Sequence, residues 1–181
     1  MFYGKSEEDQ ILIKTSMKKK KARGLGKVNV YFNKSTKNAK DTAYCTGKHI
    51  SPKCTQDVTY RSSYELRHFM NLDADPLVHL YYSEVIEVPY KDNTGKKRKY
   101  IPDIIVMYVS GDIEVHEIKP KEMLKDINVQ IKAQACRRFL SQEMEQTIKY
   151  KFITEDDLFT SAKDYTDFVK YAKKLRKENG E

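Results

Sequence analysis

The chain has 181 residues, with 34 Lys and Arg against 26 Asp and Glu, for a net charge of +8. This length supports one domain with its own core, and no apolar run approaches the roughly 18 residues of a membrane span, so a soluble, intracellular protein without membrane contact is expected. The basic excess favours a polyanionic partner, and three cysteines do not make a disulfide framework.

Residues 1–27 are polar and basic, with Lys18, Lys19, Lys20, Lys21 and Arg23 in a near-continuous run. Like charges at that density repel one another, which predicts a flexible arm suited to DNA phosphates. Residues 28–59 read as a loop-rich extension, with a short strand over Val28–Phe32 and a polar loop from Asn33 to Asp57. In that loop Cys45, His49 and Cys54 resemble zinc ligands, with His68 as a fourth. The spacing matches no common pattern, and scattered reduced thiols are the reading.

A helix follows from about Ser63 to Leu72, with Tyr64, Leu66, Phe69 and Met70 on its apolar face. Leu77–Tyr90 is strand-like, Asp92-Asn93-Thr94-Gly95 is a turn, and Lys99–Val109 and Ile113–Lys119 are two further strands. Glu122–Glu143 is the longest helical pattern, with Leu124, Ile127, Ile131, Ala135 and Phe139 on one stripe and Cys136 as a small core residue. Thr147–Thr154 reads as a strand and Ala162–Lys177 as a basic amphipathic helix. The order predicts a mixed α/β (α+β) domain, with its core over residues 60–158 and a basic C-terminal helix within 159–181.

The chemistry concentrates in Pro102-Asp103 and Glu117-Ile118-Lys119. Alternation along a strand puts Ile101, Asp103, Ile105, Met107 and Val109 on one face, and Ile113, Val115, Glu117 and Lys119 on one face of the next. Burying both apolar sets together requires an in-phase register. A three-residue loop of Ser110, Gly111 and Asp112 gives one, with Asp103 opposite Lys119 and beside Glu117. Two neighbouring carboxylates repel each other and favour a divalent cation, and Mg²⁺ (or Mn²⁺) suits hard oxygens. Asp103, Glu117 and the Ile118 carbonyl would hold the ion, while Lys119 orients or deprotonates the attacking water. The competing reading is an ordinary ion pair at a sheet end. Glu65 has two readings as well: an acid of the site, or the returning member of a capping box, folding back on the Ser62 amide.

Taken in order, Tyr60-Arg61-Ser62-Ser63-Tyr64-Glu65, Ser83-Glu84, Val88-Pro89-Tyr90, Tyr100-Ile101-Pro102-Asp103 and Glu117-Ile118-Lys119-Pro120 resemble the TnsA-type endonucleases of the PD-(D/E)xK, restriction-endonuclease-like group. The chain is especially similar to the head completion nucleases of tailed phages with contractile tails, over roughly Tyr60 to Leu158. It implies a central mixed sheet flanked by helices, with an active site of Glu65, Asp103, Glu117 and Lys119 at one sheet edge. Under it Glu65 becomes a metal or water ligand. Glu84 is either a supporting acid or an ion-pair partner. Gln130, Lys132 and Gln134 are contacts to a phosphate or to the lysine, or solvated helix positions.

The function implied is a Mg²⁺- or Mn²⁺-dependent DNA endonuclease in phage head maturation or head–tail joining. Its partners would be DNA and phage head or neck proteins, in the host cytoplasm or on the virion. The alternatives are a transposase subunit cutting transposon ends, and a non-enzymatic DNA-binding structural protein with a nuclease-like fold.

Overall fold

A computed structural model describes residues 46–54, 57–144 and 147–178. The basic arm, the Val28–Phe32 strand and Cys45 lie outside the described residues. Its centre is a four-stranded mixed sheet in the order β3-β6-β7-β8, built from β3 (Val78–Ser83), β6 (Ile104–Tyr108), β7 (Ile113–Ile118) and β8 (Lys149–Ile153). β3, β6 and β7 pair antiparallel, whereas β7 and β8 pair parallel. Parallel pairing needs a long crossover, supplied here by a 3₁₀ turn (Lys121–Lys125) and the longest interior helix, α2 (Ile127–Glu143).

Both faces of the sheet are covered, so β6 reads as an unbroken apolar run, buried from Ile104 to Met107. Ile104, Val106, Ile118 and Ile153 pack against Leu66, Phe69 and Leu72 of α1 (Ser63–Ala74). Phe168 and Ala172 of α4 (Ala162–Glu178) join the same core, next to the single-turn α3 (Glu155–Leu158). On the opposite face, Ile105, Met107, Ile113 and Val115 meet Cys136 and Leu140 of α2. This is the expected restriction-endonuclease-like layering.

Several predicted elements divide or shift. The stretch Leu77–Tyr90 breaks into β3 and β4 (Val88–Lys91), because Glu84 turns the chain at φ +54. The stretch Lys99–Val109 breaks likewise into β5 (Lys97–Tyr100) and β6, and β4 pairs with β5 as a separate two-stranded ribbon around the predicted turn. Asp92 Oδ1 organises that turn by accepting from the amides of Thr94 and Lys96, both at 3.0 Å. Within the supposed polar loop, Gly47–His49 (β1) pairs with Val58–Tyr60 (β2).

Helix α2 starts at Ile127, behind the cap residue Asp126, and not at Glu122. The Asp126 carboxylate accepts from the amides of Asn128 at 2.7 Å and Val129 at 3.2 Å, a side-chain cap that fixes the first turn. The buried stripe is Val129, Ala133, Cys136 and Leu140. The expected stripe lies to one side of it: Ala135 and Phe139 are half-buried and Ile127 is 60 % exposed.

The face packed on α1 buries an unforeseen polar chain. Glu114 accepts from His116 Nε2 at 2.9 Å, so His116 Nδ1 carries a lone pair and accepts from His68 Nε2 at 3.0 Å. The Tyr108 hydroxyl also donates to Glu114, at 3.1 Å. Burial pushes His68 down to about 3 and also lowers His116, with Lys151 adding to both effects and Asp157 opposing them. A depressed histidine binds its proton more weakly folded than unfolded. The stability it confers is therefore present above the ordinary value of 6.5 and is lost as pH falls towards 3. The histidine pair should therefore contribute a progressive loss of melting temperature below pH 6.5, and His68→Gln should lose less than the wild type over that range. An identical acid profile in the variant would rule the pair out as its source.

Candidate active site

The site sits where β6 begins and β7 ends, on the two inner strands of the sheet and not on an edge strand. Ile104 pairs with His116 and Met107 with Ile113, so Asp103, one residue before β6, lies level with Glu117. The expected in-phase relation is present, but the register is displaced by two residues and Lys119 is not opposite Asp103. The reason is the turn. Tyr108 and Asp112 bond across it at 2.9 Å, leaving Val109, Ser110 and Gly111 as the loop, with Gly111 at φ +89. A three-residue hairpin needs a left-handed residue at its last position, and glycine takes that conformation without steric cost. The loop must therefore end on Gly111, and Val109 moves out to 61 % exposure.

Four groups meet at the strand ends. Asp103 Oδ2 accepts from the Ile118 amide at 2.7 Å, which ties the aspartate across the ladder to β7. Lys119 Nζ lies 2.8 Å from Glu117 Oε1 and 3.8 Å from Asp103 Oδ2, and donates to the Ile118 carbonyl at 3.0 Å. Glu117 is 5 % exposed, and its other oxygen accepts from the Tyr100 hydroxyl. Tyr100 OH also lies 3.0 Å from Tyr150 OH.

The electrostatics are those of a site short of positive charge. Burial, and after it the Glu117 carboxylate, push Asp103 up to about 8. Burial disfavours the Lys119 ammonium, yet Asp103 and Glu117 outweigh it and the net shift is upward. One ammonium thus sits against two carboxylates and a carbonyl. These three hard oxygen donors fit Mg²⁺ or Mn²⁺ by their chemistry. Among the described residues, however, no three His, Cys, Asp or Glu side chains converge closely enough to hold a metal unaided. The Ile118 carbonyl and water or phosphate oxygens would have to complete the shell.

Glu65 lies at the start of α1. Ser62 Oγ accepts from the Glu65 amide at 3.1 Å, and the Glu65 carboxylate folds back to accept from the Arg61 amide at 2.8 Å. It is a helix cap here, on the amide of Arg61 and not of Ser62. Burial raises its carboxyl, and its charge is felt at both Asp103 and Lys119.

Glu84 pairs with the Arg61 guanidinium in a two-pronged contact, its second bond 2.9 Å long, and its amide donates to the Asp103 carbonyl at 3.0 Å. Arg61 and Glu84 thereby link the cap of α1 to the turn that carries Asp103. Such a left-handed glutamate persists only where its surroundings over-determine it. The Lys132 ammonium lies 5.9 Å from the centre of the Tyr100 ring, whereas Gln134 is exposed and Gln130 donates to the Leu124 carbonyl. His49 Nε2 is committed to Asp73 at 2.7 Å and His68 Nε2 to His116 Nδ1 at 3.0 Å. Tyr100, Tyr150 and Arg61 were not singled out as site residues. Tyr100 sits three residues before Asp103, and that proximity was the available signal.

Residues 75–155 match a family described as the TnsA-like endonuclease N terminal. That segment is TnsA-like. It contains Asp103, Glu117 and Lys119 and leaves Glu65 outside. Over 66 residues the chain is 42 % identical to the head completion nuclease of Enterobacteria phage T4, a match covering 36 % of this chain. It spans 44 % of that relative's length.

Proposed function

We propose that the protein is a divalent-metal-dependent DNA endonuclease that hydrolyses phosphodiester bonds, acting in phage head completion. The observation that carries this reading is the level placement of Asp103 and Glu117 beneath one ammonium, in a TnsA-like segment. Asp103, Glu117 and the Ile118 carbonyl would hold the cation, which supplies charge to the attacked phosphate and to the attacking water. The chain's own groups have separate tasks. The Ile118 amide fixes the orientation of Asp103, and Tyr100 holds one oxygen of Glu117 so that the other points at Lys119. Lys119 balances negative charge as it grows on the phosphate oxygens. Glu65, linked electrostatically to Lys119, helps keep the lysine charged.

The test is incubation of supercoiled and linear DNA with the full chain and Mg²⁺ or Mn²⁺. Cutting by the wild type that fails in Lys119→Ala supports the reading, whereas uncut DNA throughout ends it. The family match also supports a transposase-type subunit that cuts transposon ends. Activity of the purified chain alone favours the phage reading, because a transposase subunit would depend on its companion proteins. In a non-enzymatic DNA-binding scaffold the Lys119–Glu117 contact would be an ordinary ion pair at the strand ends. Calorimetric detection of a divalent ion at Asp103 and Glu117 excludes that scaffold.

A further inference from the structure

The β4–β5 ribbon stands apart from the main sheet and has two unlike faces. Val88 and Tyr100 are buried on its inner face, in the core shared with Cys136 and Leu140 of α2. Its outer face carries Lys91 directly opposite Lys97, then Lys99 beside Pro89, with Lys96 at the turn, and all four lysines are exposed. Like charges directly opposite on an antiparallel pair are destabilising. Acidic neighbours answer only part of this charge: Asp92 holds Arg98 at 3.0 Å and Glu87 holds Lys99 at 2.7 Å. Among the described residues Lys91, Lys96 and Lys97 have no ion-pair partner, so the outer face keeps three uncompensated ammonium groups.

The position of the ribbon is as informative as its charge. β5 runs directly into Tyr100, whose hydroxyl holds Glu117, and three residues later into Asp103. From Lys97 to Asp103 the extended chain spans at most about 20 Å, the length of about six phosphates along one strand of duplex DNA. We propose that the outer face of the β4–β5 ribbon docks the phosphate backbone of duplex DNA, through Lys91, Lys96 and Lys97, and so delivers a nearby phosphodiester to the strand ends carrying Asp103 and Glu117. Three point charges on a short ribbon bind phosphate without reading bases, so the contact is independent of sequence. In taking DNA as the polyanion, the proposal rests on the nuclease reading above.

The experiment measures binding of the full chain to a labelled duplex as a function of salt, with no divalent ion present. Lys91→Gln, Lys96→Gln and Lys97→Gln are combined in one variant. Its control removes the same charge from α4, by Lys170→Gln, Lys173→Gln and Lys174→Gln. The ribbon variant should bind at least about tenfold more weakly at low salt, and the slope of log affinity against log salt should fall by about two to three. The control should follow the wild type. The ribbon variant should also melt no lower than the wild type, since it removes a repulsion and no buried contact. An unaltered slope, or an equal fall in both variants, overturns the proposal, as does a wild type that binds no duplex. With metal added, the ribbon variant should cut at the wild-type rate once DNA is saturating, with KM raised. Normal ribbon-dependent binding without any cutting would instead remove the nuclease reading and leave the docking face in place.

Discussion

Asp103→Asn is expected to melt higher than the wild type without divalent ions, and to cut DNA at least about a thousandfold more slowly. The two effects have one cause. Burial and the neighbouring Glu117 hold the Asp103 carboxyl near 8, against an ordinary value of 3.8. A carboxyl raised in this way favours folding while protonated, and that contribution is lost as pH rises through the folded value. At neutral pH the group is therefore a strain on the fold. Asparagine keeps an oxygen to accept from the Ile118 amide and discards the charge. The margin by which the variant out-melts the wild type should therefore widen as pH rises from 4 to 8. Thermal melts across that range, with and without Mg²⁺, check it. A variant that melts lower than the wild type, or that still cuts, would show that Asp103 does not carry the repulsion described.

Lys119→Ala should behave in the opposite way towards stability while also losing activity. Its ammonium is the counter-charge to both carboxylates, at 2.8 Å from Glu117 and 3.8 Å from Asp103. Removing one partner of a buried charged group is strongly destabilising, on the order of 3 kcal/mol. Cutting should fall about a hundredfold or more, as when a group that stabilises developing charge is lost. The same variant should bind Mg²⁺ or Mn²⁺ more tightly than the wild type, because no ammonium competes for the oxygens, and the bound ion should restore much of the lost melting temperature. Calorimetric titration and melting with added ion measure both. A variant that melts like the wild type and gains nothing from divalent ions would separate Lys119 from the carboxylate pair.

Much of this architecture was legible in the chain. Alternation over Ile113–His116 and the run from Ile104 to Met107 identified two strands with buried faces, and parity alone brought Asp103 and Glu117 to the same side. The two-residue displacement was not legible from apolar pattern, since either register buries the same faces; only the left-handed demand at Gly111 separates them. The breaks at Glu84 and after Tyr100 were hidden because the flanking residues keep strand-forming composition. The stripe on α2 was misplaced by including residues before Asp126, whose cap restarts the helical phase. For Glu65, sequence physics anticipated a cap, and the structure shows its carboxylate on the Arg61 amide. The histidine pair left no local signal, because His68 and His116 are 48 positions apart and meet only through the packing of α1 on the sheet.

Strand β7 is gripped from both sides, antiparallel to β6 and parallel to β8, and its alternate residues serve different chemistries. Glu117 faces the carboxylate site, while its neighbour His116 faces the imidazole chain beneath α1. A single inserted or deleted residue between Ile113 and Glu117 would trade acid for imidazole on one side and bury an unpartnered carboxylate on the other. An inserted or deleted residue should therefore be tolerated in the loops and not between Ile113 and Ile118, where it would reverse which side chains face which layer.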